Sequence, residues 1–309
     1  MKPKISLKAL MIGFGLFFVF LLYSFPYSNF RGHIFKKIYE ATGVYLVADE
    51  IYPSFFGWPG IGIKKVSVTM PMGSTSFDLG CEKLLFRVGL AGIFPPVPSV
   101  SMSLKRLKEG GDLYVNLGDG NPVKTADWEA TDVSLGQLLE ESSRIEGLLN
   151  SEGSLEYHTT DFSQSSGFAN LNIEKLKTMS KLIEMSSSYS FLIPSLTLGS
   201  VKGKVAIKNG IAEISQLQFG ESDSDVQGTI SGNIRLGKTI EQSQLQIVVK
   251  MQIANRILQD PQSATFVSFL DSYRTSTPGD YAMKWVASIS DFTAAGLSLR
   301  ALPQKITTP

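Results

Sequence analysis

The chain holds a single cysteine, Cys81, and two histidines, His33 and His158, in 309 residues. One thiol excludes an internal disulfide, so an oxidising compartment neither helps nor harms this sequence. One cysteine and two distant histidines also cannot furnish a structural tetrahedral zinc site. Charge of either sign is not in excess: 29 Lys and Arg stand against 28 Asp and Glu, with no basic block, which argues against nucleic acid as a partner. Cys81 itself falls in Phe77-Asp78-Leu79-Gly80-Cys81-Glu82, a strand-like stretch, and reads as a small buried hydrophobe.

Catalytic motifs are equally scarce. No Gly-x-Ser-x-Gly nucleophile elbow exists, and Gly228-Thr229-Ile230-Ser231-Gly232 has the wrong spacing. His158 follows Tyr157 in a strand pattern, where a surface histidine is far commoner than half of a Ser–His pair. The acidic run Glu221-Ser222-Asp223-Ser224-Asp225 suggests calcium at first sight. Counted as an EF-hand loop from Asp223, it has Gly228 at position 6 but Ile234 where the bidentate Glu belongs. It reads instead as a solvated hairpin tip. Gly57-Trp58-Pro59-Gly60-Ile61-Gly62 lacks the Lys-Ser/Thr ending of a phosphate loop. No catalytic residue, metal ligand or cofactor site emerges, and the expected protein is not an enzyme.

What the sequence does have is an uncharged apolar run at residues 10–25, preceded by Lys2, Lys4 and Lys8. As a helix from Leu7 to Phe25 it reaches roughly 28 Å, against a hydrocarbon core of about 30 Å. The spacing predicts a membrane anchor built by Leu10, Met11, Ile12, Phe14, Leu16, Phe17, Phe18, Val19, Phe20, Leu21, Leu22 and Phe25, ended by Pro26. Tyr23 and Tyr27 stand where interfacial aromatics belong. A cleaved signal peptide fits less well, because Tyr23 to Ser28 offers bulky residues where small ones are wanted. Three lysines in eight residues put the N-terminus in the cytoplasm, although Arg31, Lys36 and Lys37 follow on the other side.

Beyond the anchor, residues 29–42 predict a short amphipathic helix with Ile34, Phe35, Ile38 and Tyr39 on one face. It could lie on the membrane or pack on the body. Period-two alternation then dominates, as in Ile61 and Ile63, Val66, Val68 and Met70, Val100, Met102 and Leu104, and Leu113, Val115 and Leu117. Such alternation favours antiparallel strands with one apolar and one wet face. Two helices are expected to interrupt them. One begins at a Ser134-x-x-Gln137 capping box and carries Leu135, Leu138, Leu139, Ile145, Leu148 and Leu149 on one stripe. Another is capped by Asn172 and buries Ile173, Leu176, Met179, Leu182 and Ile183. A weaker third covers residues 262–273.

The most regular stretch, residues 194–253, predicts a meander of about five strands. Asn209-Gly210 forms its hairpin turn, and Leu245, Ile247, Val249, Met251 and Ile253 alternate strictly at its end. These five are the candidate apolar groove or interface. The tail, residues 301–309, is expected to be disordered. The division read from sequence is residues 1–27 as tail and anchor, 28–300 as a β-rich domain with a sub-boundary near 118–126, and then the tail.

The residues Ile193-Pro194-x-Leu196-x-Leu198-Gly199-x-Val201-x-Gly203 and Lys208-Asn209-Gly210-x-Ala212-x-Ile214 carry a resemblance. So do Gly220-x-x-x-Asp225-Val226-x-Gly228-Thr229-x-x-Gly232-x-Ile234-x-Leu236 and Ser243-x-Leu245-x-Ile247. This pattern, best over residues 193–253, resembles the type II secretion system protein N (GspN) family, with AsmA-like β repeats. The resemblance implies a mainly β (α+β) fold: a transmembrane helix, then an extended, curved antiparallel sheet with a few covering helices. It also implies a single-pass protein of the bacterial inner membrane with its bulk in the periplasm, acting without cofactors on other type II secretion subunits. The alternative it leaves open is an AsmA-like protein that binds or transfers phospholipid in an apolar β-groove.

Overall fold

Alternation is the strongest local signal in the sequence, and the backbone follows it. The protein is mainly β, with antiparallel strands and few helices. The computed structural model describes residues 27–42, 45–54, 60–72, 75–91, 97–120, 123–138, 144–158, 160–186, 189–275, 277–290 and 302–306. The apolar run at residues 10–25, and with it every expected anchor residue, lies outside these. No helix among the described residues is long and apolar enough to cross a membrane.

Two compact units divide the chain: residues up to Gly89 with Val100–Lys108, and Leu90–Ser99 with the chain from Glu109 onward. The first holds helix α1 (Tyr27–Thr42) and strands β1 (Tyr45–Val47), β2 (Glu50–Ser54) and β3 (Gly60–Met72). It also holds most of β4 (Thr75–Ala91) and β5 (Val97–Leu107). Strands β1 and β2 both pair with β3, which pairs with β4. Helix α1 packs on the body: the Arg31 guanidinium donates to the carbonyls of Ala48 and Asp49 at 2.9 and 3.1 Å. Tyr39 and Tyr45 join their hydroxyls at 2.7 Å.

The core of this unit includes Ile63, Val66, Leu79, Cys81, Leu84 and Leu104, all nearly inaccessible. Cys81 lies opposite Val66, as a small buried hydrophobe should. Burial pushes its thiol up to about 11. The folded state therefore favours the neutral thiol, and this contribution is complete below pH 9. It is lost as the pH rises through about 11. Iodoacetamide at pH 8 should leave the native protein unlabelled while labelling the urea-unfolded chain; equal rates would refute this placement.

The second unit contains β6 (Asp112–Asp119), β7 (Val123–Ser134), the single turn α2 (Leu135–Leu138), β8 (Ile145–His158) and β9 (Asp161–Thr178). A two-stranded arm, β10 (Lys181–Ser186) and β11 (Tyr189–Ile193), pairs only with itself. Then follow β12 (Leu196–Lys208), β13 (Ile211–Phe219), β14 (Val226–Arg235) and β15 (Gln244–Ile253). Helix α3 (Asn255–Leu258), a 3-10 turn (Pro261–Ser263), α4 (Ala264–Asp271), β16 (Asp280–Ser288) and β17 (Gln304–Lys305) complete it. In space the strands run β6-β7-β8-β9-β12-β13-β14-β15-β16-β17, each antiparallel to the next. The expected turn at Asn209-Gly210 is present, with Lys208 opposite Ile211 and both turn residues at positive φ.

Several expectations are corrected here. Of the helix expected from Ser134, the described residues show the single turn α2, and Ile145, Leu148 and Leu149 belong to strand β8. The helix expected from Asn172 is not a helix: Ile173 and Leu176 lie in β9, and Leu182 and Ile183 in β10. For the second helix the cause is a β-bulge. Lys175 takes φ 54° where β9 carries one residue more than β8. The extra residue turns a spacing of two into three, and Ile173–Leu176 then imitates the i, i+3 step of a helix. Asp132 in β7 does the same between the buried Ala130 and Val133. Residues 194–253 make four long strands instead of five. Within the tail, Gln304 and Lys305 pair with Lys284 and Met283. The Tyr273 hydroxyl donates to the Pro303 carbonyl at 3.1 Å.

Candidate functional site

Because residues directly opposite in antiparallel strands share a face, the register defines what each face presents. Three successive rungs cross the nine strands β6 to β9 and β12 to β16. The first is Leu117, Ala126, Leu155, Gly167, Ile207, Ala212, Ile234, Leu245 and Ala287. The second is Val115, Trp128, Gly153, Ala169, Val205, Ile214, Gly232, Ile247 and Trp285. The third is Leu113, Ala130, Ser151, Leu171, Gly203, Leu217, Ile230, Val249 and Met283. No charge interrupts them, and Ser151 is the one polar residue. At about 4.8 Å between strands and 6.8 Å between rungs, the face measures roughly 38 by 14 Å. That is at the scale of several hundred Å² at which an apolar patch marks an interaction site.

The five groove residues expected from sequence lie side by side on β15, and their environments divide. Ile253 is 2% exposed in the core of this unit, with Val226, Ile257, Leu270, Tyr281 and Met283. Val249 and Met251 pack against that core together with Phe266, Val267 and Tyr273 from the helical segment. Leu245 and Ile247 stay half-buried and outside it. The helices therefore cover one corner of the apolar face, at the β14–β16 end. Leu117, at the far end of the first rung, is 46% exposed.

An aspartate anchors the covered corner. Asp225 is 6% exposed and accepts hydrogen bonds from the Thr197 amide at 2.7 Å and from the Arg256 guanidinium. Arg256 also donates to the Asp223 carbonyl at 2.9 Å, and the Ala254 amide donates to the Asp225 carbonyl at 2.8 Å. One carboxylate thus ties β12, the start of β14 and α3 together. The acidic run expected as a solvated tip ends in a buried aspartate paired with a largely exposed arginine, and Ser224 beside it is buried as well.

Sequence reasoning read the alternation of Leu113, Val115 and Leu117 on β6 but missed the part of the face that lies on β7 to β9. Its central residue is Trp128, whose ring lies over Gly153; a β-carbon on that glycine would collide with the indole. The indole N–H donates to Ser151 Oγ at 3.2 Å. Gly153→Ala should cost about 1–2 kcal/mol by forcing the ring aside, read as a lowered urea midpoint. An unchanged midpoint would mean the indole moves freely. The signal available in the sequence was Trp128 preceded by Ala126 and followed by Ala130, which is plain alternation.

His158 ends β8 opposite Asp161, but the Asp161 carboxylate accepts from the Ser163 hydroxyl and amide and from Gln164. Those bonds hold its pKa below the usual carboxylate range. Among the described residues, no group of three His, Cys, Asp or Glu could hold a metal ion. No family model, curated protein or solved structure matches this chain.

Proposed function

We propose that the chain is a non-enzymatic, inner-membrane-anchored component of a type II protein secretion system. Its apolar sheet face would be the contact surface for other subunits in the periplasm. The observation that supports this reading is the uninterrupted apolar face across nine strands, with helices over one corner among the described residues. A sheet with an apolar face needs a cover, and a partner of the same apolar chemistry supplies one. The anchor at residues 10–25 would hold the body at the membrane with the N-terminus in the cytoplasm. In-cell crosslinking followed by mass spectrometry tests this reading. Crosslinks from the uncovered rungs to secretion subunits are expected. Their absence, together with undisturbed export in a strain lacking the protein, would refute it.

The uncovered half of β15 also favours a second reading, in which an AsmA-like curved sheet holds phospholipid acyl chains on these rungs. Leu245 and Ile247 lie beyond the helical cover, so the helical segment does not fill this face completely. Mass spectrometry of the purified protein should then find co-purified phospholipid. Lipid-free protein that takes up none from vesicles would exclude this reading.

A further inference from the structure

The face opposite the apolar rungs carries a groove of about 650 Å³, within the range of small-ligand sites. Its floor is amide: Asn150, Asn170 and Asn172 occupy β8 and β9, with Gln216 and Gln218 beyond them on β13. Charges of both signs flank that floor. Glu129 and Glu152 stand on β7 and β8, and Lys202 and Lys204 on β12. The register lines up Tyr114, Glu129, Glu152, Asn170, Lys204 and Gln216 as one rung. Two exposed aromatics flank the groove: Tyr114 at 37%, opposite Glu129, and Phe168 at 46%, two residues from Asn170 on the same face.

Each chemistry present here selects against one kind of occupant. An acyl chain would strip water from amides and charges without replacing their hydrogen bonds. Nucleic acid would bring phosphates against two carboxylates. A protein interface wants an apolar centre, and this centre is amide. A polyhydroxylated chain suits it. Every hydroxyl both donates and accepts, as does a side-chain amide: Asn150 is held at both ends by Asp132, but Asn170 and Asn172 use one N–H each, on Glu152 and Glu174, and keep the rest of their amide groups. The sugar's apolar face can rest on an exposed ring. Lys202 and Lys204 form no ion pair among the described residues, which leaves their donors for a ligand. Asn172 Oδ1 is shielded from solvent with no donor of its own, an acceptor that a ligand hydroxyl could satisfy once the amide rotates.

The geometry points to a saccharide-binding groove on the polar face of the second unit, lined by Asn150, Asn170, Asn172, Lys202, Lys204 and Gln216. This site does not depend on the use proposed for the apolar face. Two soluble probes test it on the full chain in detergent by isothermal titration calorimetry. Maltohexaose presents hydroxyls alone, and chitohexaose adds an N-acetyl amide on each ring. Saturable binding of either is expected, and the stronger probe tells whether hydroxyl or amide dominates. Lys202→Ala with Gln216→Ala, both on exposed positions, should weaken that binding about tenfold with the melting temperature unchanged. Leu245→Ser on the opposite face should leave it intact. Failure of both sugars to bind, or binding that ignores the groove variants or is lost with Leu245→Ser, would overturn the proposal. Neither result bears on phospholipid or subunit association, which is read separately.

Discussion

Asp225→Ala is expected to lower the free energy of unfolding by about 2–3 kcal/mol. Removing a buried carboxylate leaves its donors without an acceptor. Here the stranded groups are the Thr197 amide and the Arg256 guanidinium. Arg256 is 59% exposed on its side chain and can turn to water, which holds the cost below that of a fully enclosed pair. The loss should concentrate at the covered corner, because the pair tethers α3 to β12 and β14. Hydrogen exchange would show it: amides of residues 254–271 should lose protection before those of β8 and β9. Asp225→Asn, which keeps an acceptor, should recover part of the stability. A variant as stable as the parent would mean the tether contributes nothing.

The second large effect concerns use, not stability. Leu245→Asp combined with Ile247→Asp places two carboxylates in the part of the apolar face beyond the helical segment. Both positions are half-buried and lie outside the core, so the melting temperature should fall by only a few degrees. Association with an apolar partner should weaken by a hundredfold or so, since each charge must lose its water to make the contact. Crosslinking yield and co-purified phospholipid both report it. Val249→Asp is the control: Val249 packs against the core, and that change should unfold the corner. If the double variant keeps both its partners and its lipid, the apolar face is not the working surface.

Much of this architecture was legible in the sequence because alternation records one buried and one wet face directly. Strand β15 shows it most clearly, with Leu245 to Ile253 placed as expected, and the Asn209-Gly210 turn fixed the register of its hairpin. The helix misread from Asn172 has its origin in register. At Lys175 a bulge adds a residue to the strand, and the apolar spacing slips into helical periodicity. A short window cannot separate the two, because a bulge shows only in the neighbouring strand's count. The width of the apolar face was hidden for a related reason. No single strand announces that Trp128, Gly153 and Ile247 share a rung; only pairing does. The amide-floored groove was invisible for the same cause, since Asn150, Asn170 and Lys204 become neighbours only through register.

With the exception of β9 to β12, every pairing in the second unit among the described residues joins strands consecutive in the chain. Such a ladder grows by simple addition. Duplicating one hairpin in the gene would widen both faces by two strands, roughly 10 Å, while disturbing only the seams on either side. The width of this unit's sheet is therefore a quantity that gene duplication can adjust without redesigning a core, much as a ruler is lengthened by adding divisions.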